Sequence, residues 1–251
     1  MKRWVGGALL LAPLTWLYSC SGSESRSNTA ALPLAQVDAT NGATISGKVL
    51  FTGAAPVMPV IDMSSNPTCE RQHGERRAEI VVVNPNHTLR NTFVWIADGL
   101  PKARWQAPSA IAHLDQKGCT YQPHVQGIMV GQTLEISNSD PVNHNVHAES
   151  RVNAAWNESE PPRAETRLKR FQEQEVLIPV SCSVHPWMRS YVGVVAHPFF
   201  AVTGDDGSFS LRGVPPGTYK LEAVHERFGR KQISVTVAPQ QSAVVDFTYG
   251  S

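Results

Sequence analysis

The chain of 251 residues carries 22 basic and 21 acidic side chains, a formal net charge of +1, and 41% hydrophobic residues. That length holds one or two domains with ordinary core content. A near-neutral balance excludes the strongly basic surface that a nucleic-acid partner requires. The first twenty residues stand apart. Lys2 and Arg3 precede an apolar run from Trp4 to Tyr18, a charged stretch followed by an apolar one, as in an export signal. The run is short for a membrane span.

That run ends in Leu17-Tyr18-Ser19-Cys20, which resembles the bacterial lipoprotein box. The resemblance implies a signal peptide over residues 1–20 and lipidation at Cys20. The alternative is an ordinary secretory signal cut nearby. On either reading the chain is exported, to the periplasm or the cell surface, and touches a membrane only through its N-terminal anchor. Ser21 is not the Asp that retains many lipoproteins at the inner membrane, so the expected address is the outer membrane. Residues 21–42 are rich in Ser, Ala and Asn with no apolar period, which predicts a flexible tether.

Strand signals follow in order. Ala43-Thr44-Ile45-Ser46-Gly47-Lys48-Val49-Leu50-Phe51 alternates and stops at Thr52-Gly53. The stretch to His73 is punctuated by Pro and reads as irregular. Glu79-Ile80-Val81-Val82-Val83 and Thr92-Phe93-Val94-Trp95-Ile96 are strand-like runs bounded by Asn, Gly or Pro. Residues 127–138 read as two short strands around a Gly turn, with Leu134 and Ile136 alternating about Glu135. Residues 150–174 are charged and broken at Pro161-Pro162, which predicts a surface excursion with a helical turn. Glu175 to Val180 and Tyr191 to Ala196 are strands flanking a loop. From Phe199 the chain is a meander of short strands, with turns at Asp205-Asp206-Gly207 and Val214-Pro215-Pro216-Gly217. No long amphipathic period occurs, so the predicted class is all-β.

The loop Ser181-Cys182-Ser183-Val184-His185-Pro186-Trp187-Met188 spaces a thiol, an imidazole and a thioether three residues apart. Soft sulfur with borderline nitrogen is the donor set for copper, and a site of two imidazoles and one thiolate with a weak axial Met passes single electrons. The second imidazole is sought in Asn138-Ser139-Asp140-Pro141-Val142-Asn143-His144-Asn145-Val146-His147. His144 lies in the polar, Pro-containing loop that follows the strand ending at Asn138; His147 competes as a ligand, but on a strand leaving that loop it faces outward. His113, His124, His197 and His225 have no spacing partner and receive no metal role. The bland alternatives are an incidental Cys-x2-His pair and a Met that merely fills core. A binuclear copper centre needs two cysteines in one loop, multicopper oxidases repeat His-x-His, and a hydrolase elbow reads Gly-x-Ser-x-Gly. None of these patterns occurs, so no enzyme is expected.

These two segments resemble the ligand segments of the cupredoxins, the blue copper proteins related to plastocyanin, azurin and amicyanin. The resemblance implies a Greek-key β-sandwich holding one copper ion, Cu(I) or Cu(II), on His144, Cys182, His185 and Met188. It further implies that Asn145 ties the two loops together through Ser183, and that His185, beside Pro186 and Trp187, is the electron port through an apolar surface patch. With Cys20 assigned to lipid and Cys182 to metal, Cys69 and Cys119 remain, and outside the cytoplasm such a pair oxidises to a disulfide. Two alternatives stay open: a second metal site from Cys69, His73, Cys119 and His124, or a bridge from Cys182 to Cys69 or Cys119.

Residues 203–219, with the earlier strand Ile45-Ser46-Gly47-Lys48-Val49, resemble carboxypeptidase regulatory-like domains, which are transthyretin-like β-sandwiches. The expected organisation is therefore residues 43–76 as an N-terminal strand and Pro-rich segment completing the C-terminal module, residues 77–199 as the copper domain, and residues 200–251 as the regulatory-like module. The expected function is that of a tethered blue-copper electron carrier acting between redox partners that the sequence does not name. A copper carrier or store, and a surface scaffold or sugar-binding module, are the alternatives.

Overall fold

The structure is a computed structural model that describes residues 1–2, 32–38, 40–73 and 75–250. Cys20 and most of the expected tether lie outside the described residues. Where the tether is described it is not wholly irregular: Leu34–Ala35 pairs in parallel with Arg104–Trp105.

The fold is all-β, and its strands make two layered cores. In the first, a five-stranded sheet runs in the order Trp156–Glu160, His144–Ala148, Glu175–Ser181, Arg189–Val195, Val125–Met129. Opposite it lies a sheet of Arg167–Lys169, Leu134–Asn138, Ala112–Gln116 and Tyr121–Gln122. Inward residues of both sheets, among them Leu114, Ile128, Leu134, Ile136, Val146, Ile178, Val180 and Val192, form one buried cluster. Strict alternation in Leu134–Asn138 places Leu134 and Ile136 on that inner face.

In the second core, Ala43–Thr52 lies between Ser208–Val214, which it pairs antiparallel, and Ser242–Val244 and Phe247–Gly250, which it pairs in parallel. The facing sheet runs Phe200–Val202, Phe93–Asp98, Gly217–His225, Gly229–Val237. Ile45, Val49, Phe51, Leu211, Leu221, Phe247 and Tyr249 fill the space between.

Three expectations need correction. The boundary at residue 77 assigns Phe93–Asp98 to the copper domain, but this strand pairs with Gly217–His225 and Phe200–Val202 in the second sandwich. Its run Phe93-Val94-Trp95-Ile96 is apolar on both faces and needs cover on both. Val94 and Ile96 enter the second core, while Phe93 and Trp95 enter a layer shared with Val125 and Val195 of the first. In that layer Gly127 and Gly193 are paired neighbours, and a Cβ at Gly193 would stand 2.6 Å from the Phe93 ring, so the two glycines admit the aromatic side chain.

Residues 150–174 form strands rather than an excursion. Trp156–Glu160 and Arg167–Lys169 add to opposite sheets of the first sandwich, and Phe171 is buried. The mixed charges that read as surface pair with each other: Arg167 reaches Glu160 at 2.6 Å and Lys169 meets Glu158. Such charged, paired edges guard a sheet against further strand addition. Residues 79–83 form no strand; only the bridge Val83–Leu89 and a hydrogen bond from the Arg90 N–H to the Val82 carbonyl tie that run to its return.

Candidate metal centre

Three neighbouring elements deliver the donors. His144 opens the strand His144–Ala148, Cys182 follows the end of Glu175–Ser181, and His185 and Met188 precede Arg189–Val195. The last two strands are antiparallel partners, and Glu175–Ser181 also pairs with His144–Ala148, so adjacent strand ends bring all four residues to one end of the sandwich. The loop closes tightly, with the Met188 N–H donating to the His185 carbonyl at 2.9 Å.

The His144 and His185 Nδ1 atoms are 2.9 Å apart, and Cys182 Sγ is 4.0 Å from His185 Nδ1. One ligand atom from each of the three residues lies within 4.8 Å of the other two. His144, Cys182, His185 and Met188 are all buried, and Met188 belongs to the same apolar cluster as Cys182. Cys182 Sγ accepts the N–H groups of Asn145 at 3.5 Å and His185 at 3.4 Å. Burial pushes this thiol up, but the hydrogen bonds from His144 and from the Asn145, His185 and Val184 N–H groups outweigh it and hold the thiol below its ordinary pKa. That favours a thiolate, the form that binds metal. Two imidazole nitrogens, one acidified buried thiol and one buried thioether suit copper by donor type.

The surroundings fix these donors. Asn145 Oδ1 accepts the Ser183 N–H across the two loops, at the positions the sequence assigns to that tie. Tyr121 adds a second tie: its one hydroxyl hydrogen is shared between the Asn145 carbonyl at 2.5 Å and the Ser181 carbonyl at 3.0 Å. Asp140 holds the other side of His144, accepting from its Nε2 at 2.9 Å. The same carboxylate accepts the Gly118 and Cys119 N–H groups at 2.6 and 2.7 Å. Burial pushes Asp140 up, and those three donors bring it below the usual carboxylate range. A carboxylate behind a ligating imidazole fixes its ring and raises its basicity. Asp140→Asn is therefore expected to weaken copper binding about 10- to 100-fold, measured by competition with a chelator of known affinity. Unchanged affinity would show that Asp140 only braces the loop.

Cys69 and Cys119 are bonded, S–S 2.04 Å, and Cys182 is free. This closes both alternatives for those thiols. Cys119, Asp140 and His144 also lie close together, but the Cys119 sulfur is committed to the bridge. His124, given no metal role, joins the two sandwiches by hydrogen-bonding Glu226, with Glu79 at 3.9 Å.

The expected electron port is a correction. His185 is 2% exposed, because the segment before the short helix Pro67–His73, and the helix itself, lie over its outer edge. Asn66 Nδ2 is 2.9 Å and Cys69 Sγ 3.8 Å from His185 Nε2, while the Trp187 ring packs at 5.0 Å between centroids. Ser183, Val184 and Pro186 are the exposed members of the loop. Sequence reasoning missed Asp140, Tyr121 and Asn66. Asp140 had a visible signal, an acid four residues before the candidate donor His144; Asn66 had none.

Fold and donors together define an all-β protein with a buried cluster of two His, one Cys and one Met. Residues 192–250 match the model of the carboxypeptidase regulatory-like domain. Among solved structures, the chain is similar to a copper-containing nitrite reductase from Thermus scotoductus at 18% identity, covering 39% of this chain and 25% of that one, TM-score 0.32. A purple cupredoxin from Nitrosopumilus maritimus is similar at 24% identity, over 33% of this chain and 98% of that one, TM-score 0.28. A methionine-to-alanine mutant of amicyanin with Cu(I) is similar at 23% identity, over 34% of this chain and 81% of that one, TM-score 0.30. This chain thus spans about a quarter of the length of the nitrite reductase. No curated protein matches.

Proposed function

We propose that this protein binds one copper ion through His144, Cys182, His185 and Met188 and carries single electrons, without itself catalysing a reaction. The supporting observation is the convergence of two imidazole nitrogens and a free buried thiol within 4.8 Å at one end of a β-sandwich. Copper would supply the one-electron couple. The chain supplies a fixed donor geometry, hydrogen bonds to the thiolate, and a site shut off from water. In this reading the protein is exported and tethered by lipid at Cys20, and redox partners approach the exposed loop residues Ser183, Val184 and Pro186.

A second reading, a copper carrier or store, draws on the closed edge of His185, because a sealed site suits holding metal. Adding Cu(II) to the mature protein while recording visible absorption and electron paramagnetic resonance tests both. An intense copper–thiolate band at one equivalent, bleached and restored by cycles of reductant and oxidant, is the expected result. Binding without reversible cycling selects the store, and no binding sinks both.

A further inference from the structure

We propose that Asn66 positions His185 from outside the site and seals its outer nitrogen, an inference that rests on the copper reading above. A neutral imidazole carries one hydrogen, and the partner of one nitrogen decides the role of the other. His185 turns Nδ1 toward His144 and Cys182. Ligation there leaves the hydrogen on Nε2, which needs an acceptor. Asn66, 119 residues away in sequence, places its amide Nδ2 2.9 Å from that nitrogen and donates to it in the metal-free ring; ligation at Nδ1 reverses the demand, and the amide must then turn its oxygen to the ring. The other nearby group is the Cys69 sulfur at 3.8 Å, a weak acceptor.

The same carboxamide caps the short helix. Asn66 Oδ1 accepts the N–H groups of Thr68 at 3.1 Å and Cys69 at 3.3 Å, the usual service of an N-cap side chain. The oxygen serves the helix and the Nδ2 faces the ring, so ligation at His185 Nδ1 sets the ring in competition with the helix for the one amide oxygen. Asn66 therefore links the metal ligand to the start of the helix. The helix cannot drift away, because Cys69 is bonded to Cys119, whose loop is gripped by Asp140, the residue behind His144. Met63 packs with the disulfide, and Ile61, Val142 and Trp187 pack around them. Both imidazoles are in this way held from outside by one connected set of residues.

Variants of the full chain separate the cap from the ring contact. Asn66→Ser keeps a good cap but is too short for Nε2; Asn66→Asp keeps the cap and the reach; Asn66→Ala loses both. Without copper, the Ser and Asp variants should melt close to the parent. Copper affinity should fall about 10- to 100-fold in the Ser and Ala variants and hold in the Asp variant. The Asp variant should also have a lower reduction potential, since its added charge favours Cu(II). Diethylpyrocarbonate, read by peptide mass spectrometry on the chain without added copper, should modify His185 in the Ser and Ala variants and spare it in the parent. A Ser variant equal to the parent in copper affinity and in His185 protection overturns the proposal. A parent that binds no copper defeats the copper reading instead, and the labelling alone then decides whether Asn66 covers His185.

Discussion

Replacing Cys182 with Ser is expected to abolish the visible band and to cost more copper affinity than the Asp140 change, because it removes the only soft anionic donor. A hydroxyl of nearly the same size stays in place, and the Asn145 and His185 N–H groups that now reach Sγ can reach an oxygen. The fold should therefore survive. We expect a stability change within about 1 kcal/mol, or roughly 2–4 °C in melting temperature for a chain of this size. Titration with Cu(II), followed by absorption and paramagnetic resonance, checks the first part; a thermal melt without copper checks the second. A Ser variant that keeps the intense band would mean that the thiol is not the ligand.

The second large effect is on stability. The bond between Cys69 and Cys119 closes a loop with a sequence separation of 50. Loop-closure entropy puts its contribution at about 4 kcal/mol. Replacing both residues with Ala should lower the melting temperature by roughly 8–16 °C. The double change avoids stray thiols, which matter because Cys69 Sγ lies 3.8 Å from the His185 imidazole. The bridge also holds the helix Pro67–His73 against the proposed copper site, so the same variant should release copper to a chelator faster than the parent. A melting temperature within about 2 °C of the parent would show that the loop is held by packing and that the bond adds little.

Much of the site was legible in the chain because its chemistry is local. Cys182, His185 and Met188 sit in one loop between two paired strands, and residue type plus spacing is enough to mark them as donors. Pairing that loop with His144 took one further step, the expectation that adjacent strands of a sandwich end together. The tie from Asn145 to Ser183 was implied by the resemblance of the two segments to cupredoxin ligand loops, and the structure makes that hydrogen bond. Phe93–Asp98 was legible as a strand but not as a member of the second sandwich, since a run that is apolar on both faces fits any layer that covers both.

The cover over His185 was not legible at all. Nothing in residues 54–78, a Pro-punctuated stretch with little period, states which surface it crosses, and Asn66 there looks like any other turn residue. What the sequence by itself determined is the all-β class, the candidate donors and the thiols able to pair, because each depends on residue type and on alternation over a few positions. Only the tertiary structure decided that the outer imidazole is closed rather than offered to a partner. That outcome depends on contacts between segments more than a hundred residues apart, made by packing and a covalent clamp that no single stretch encodes.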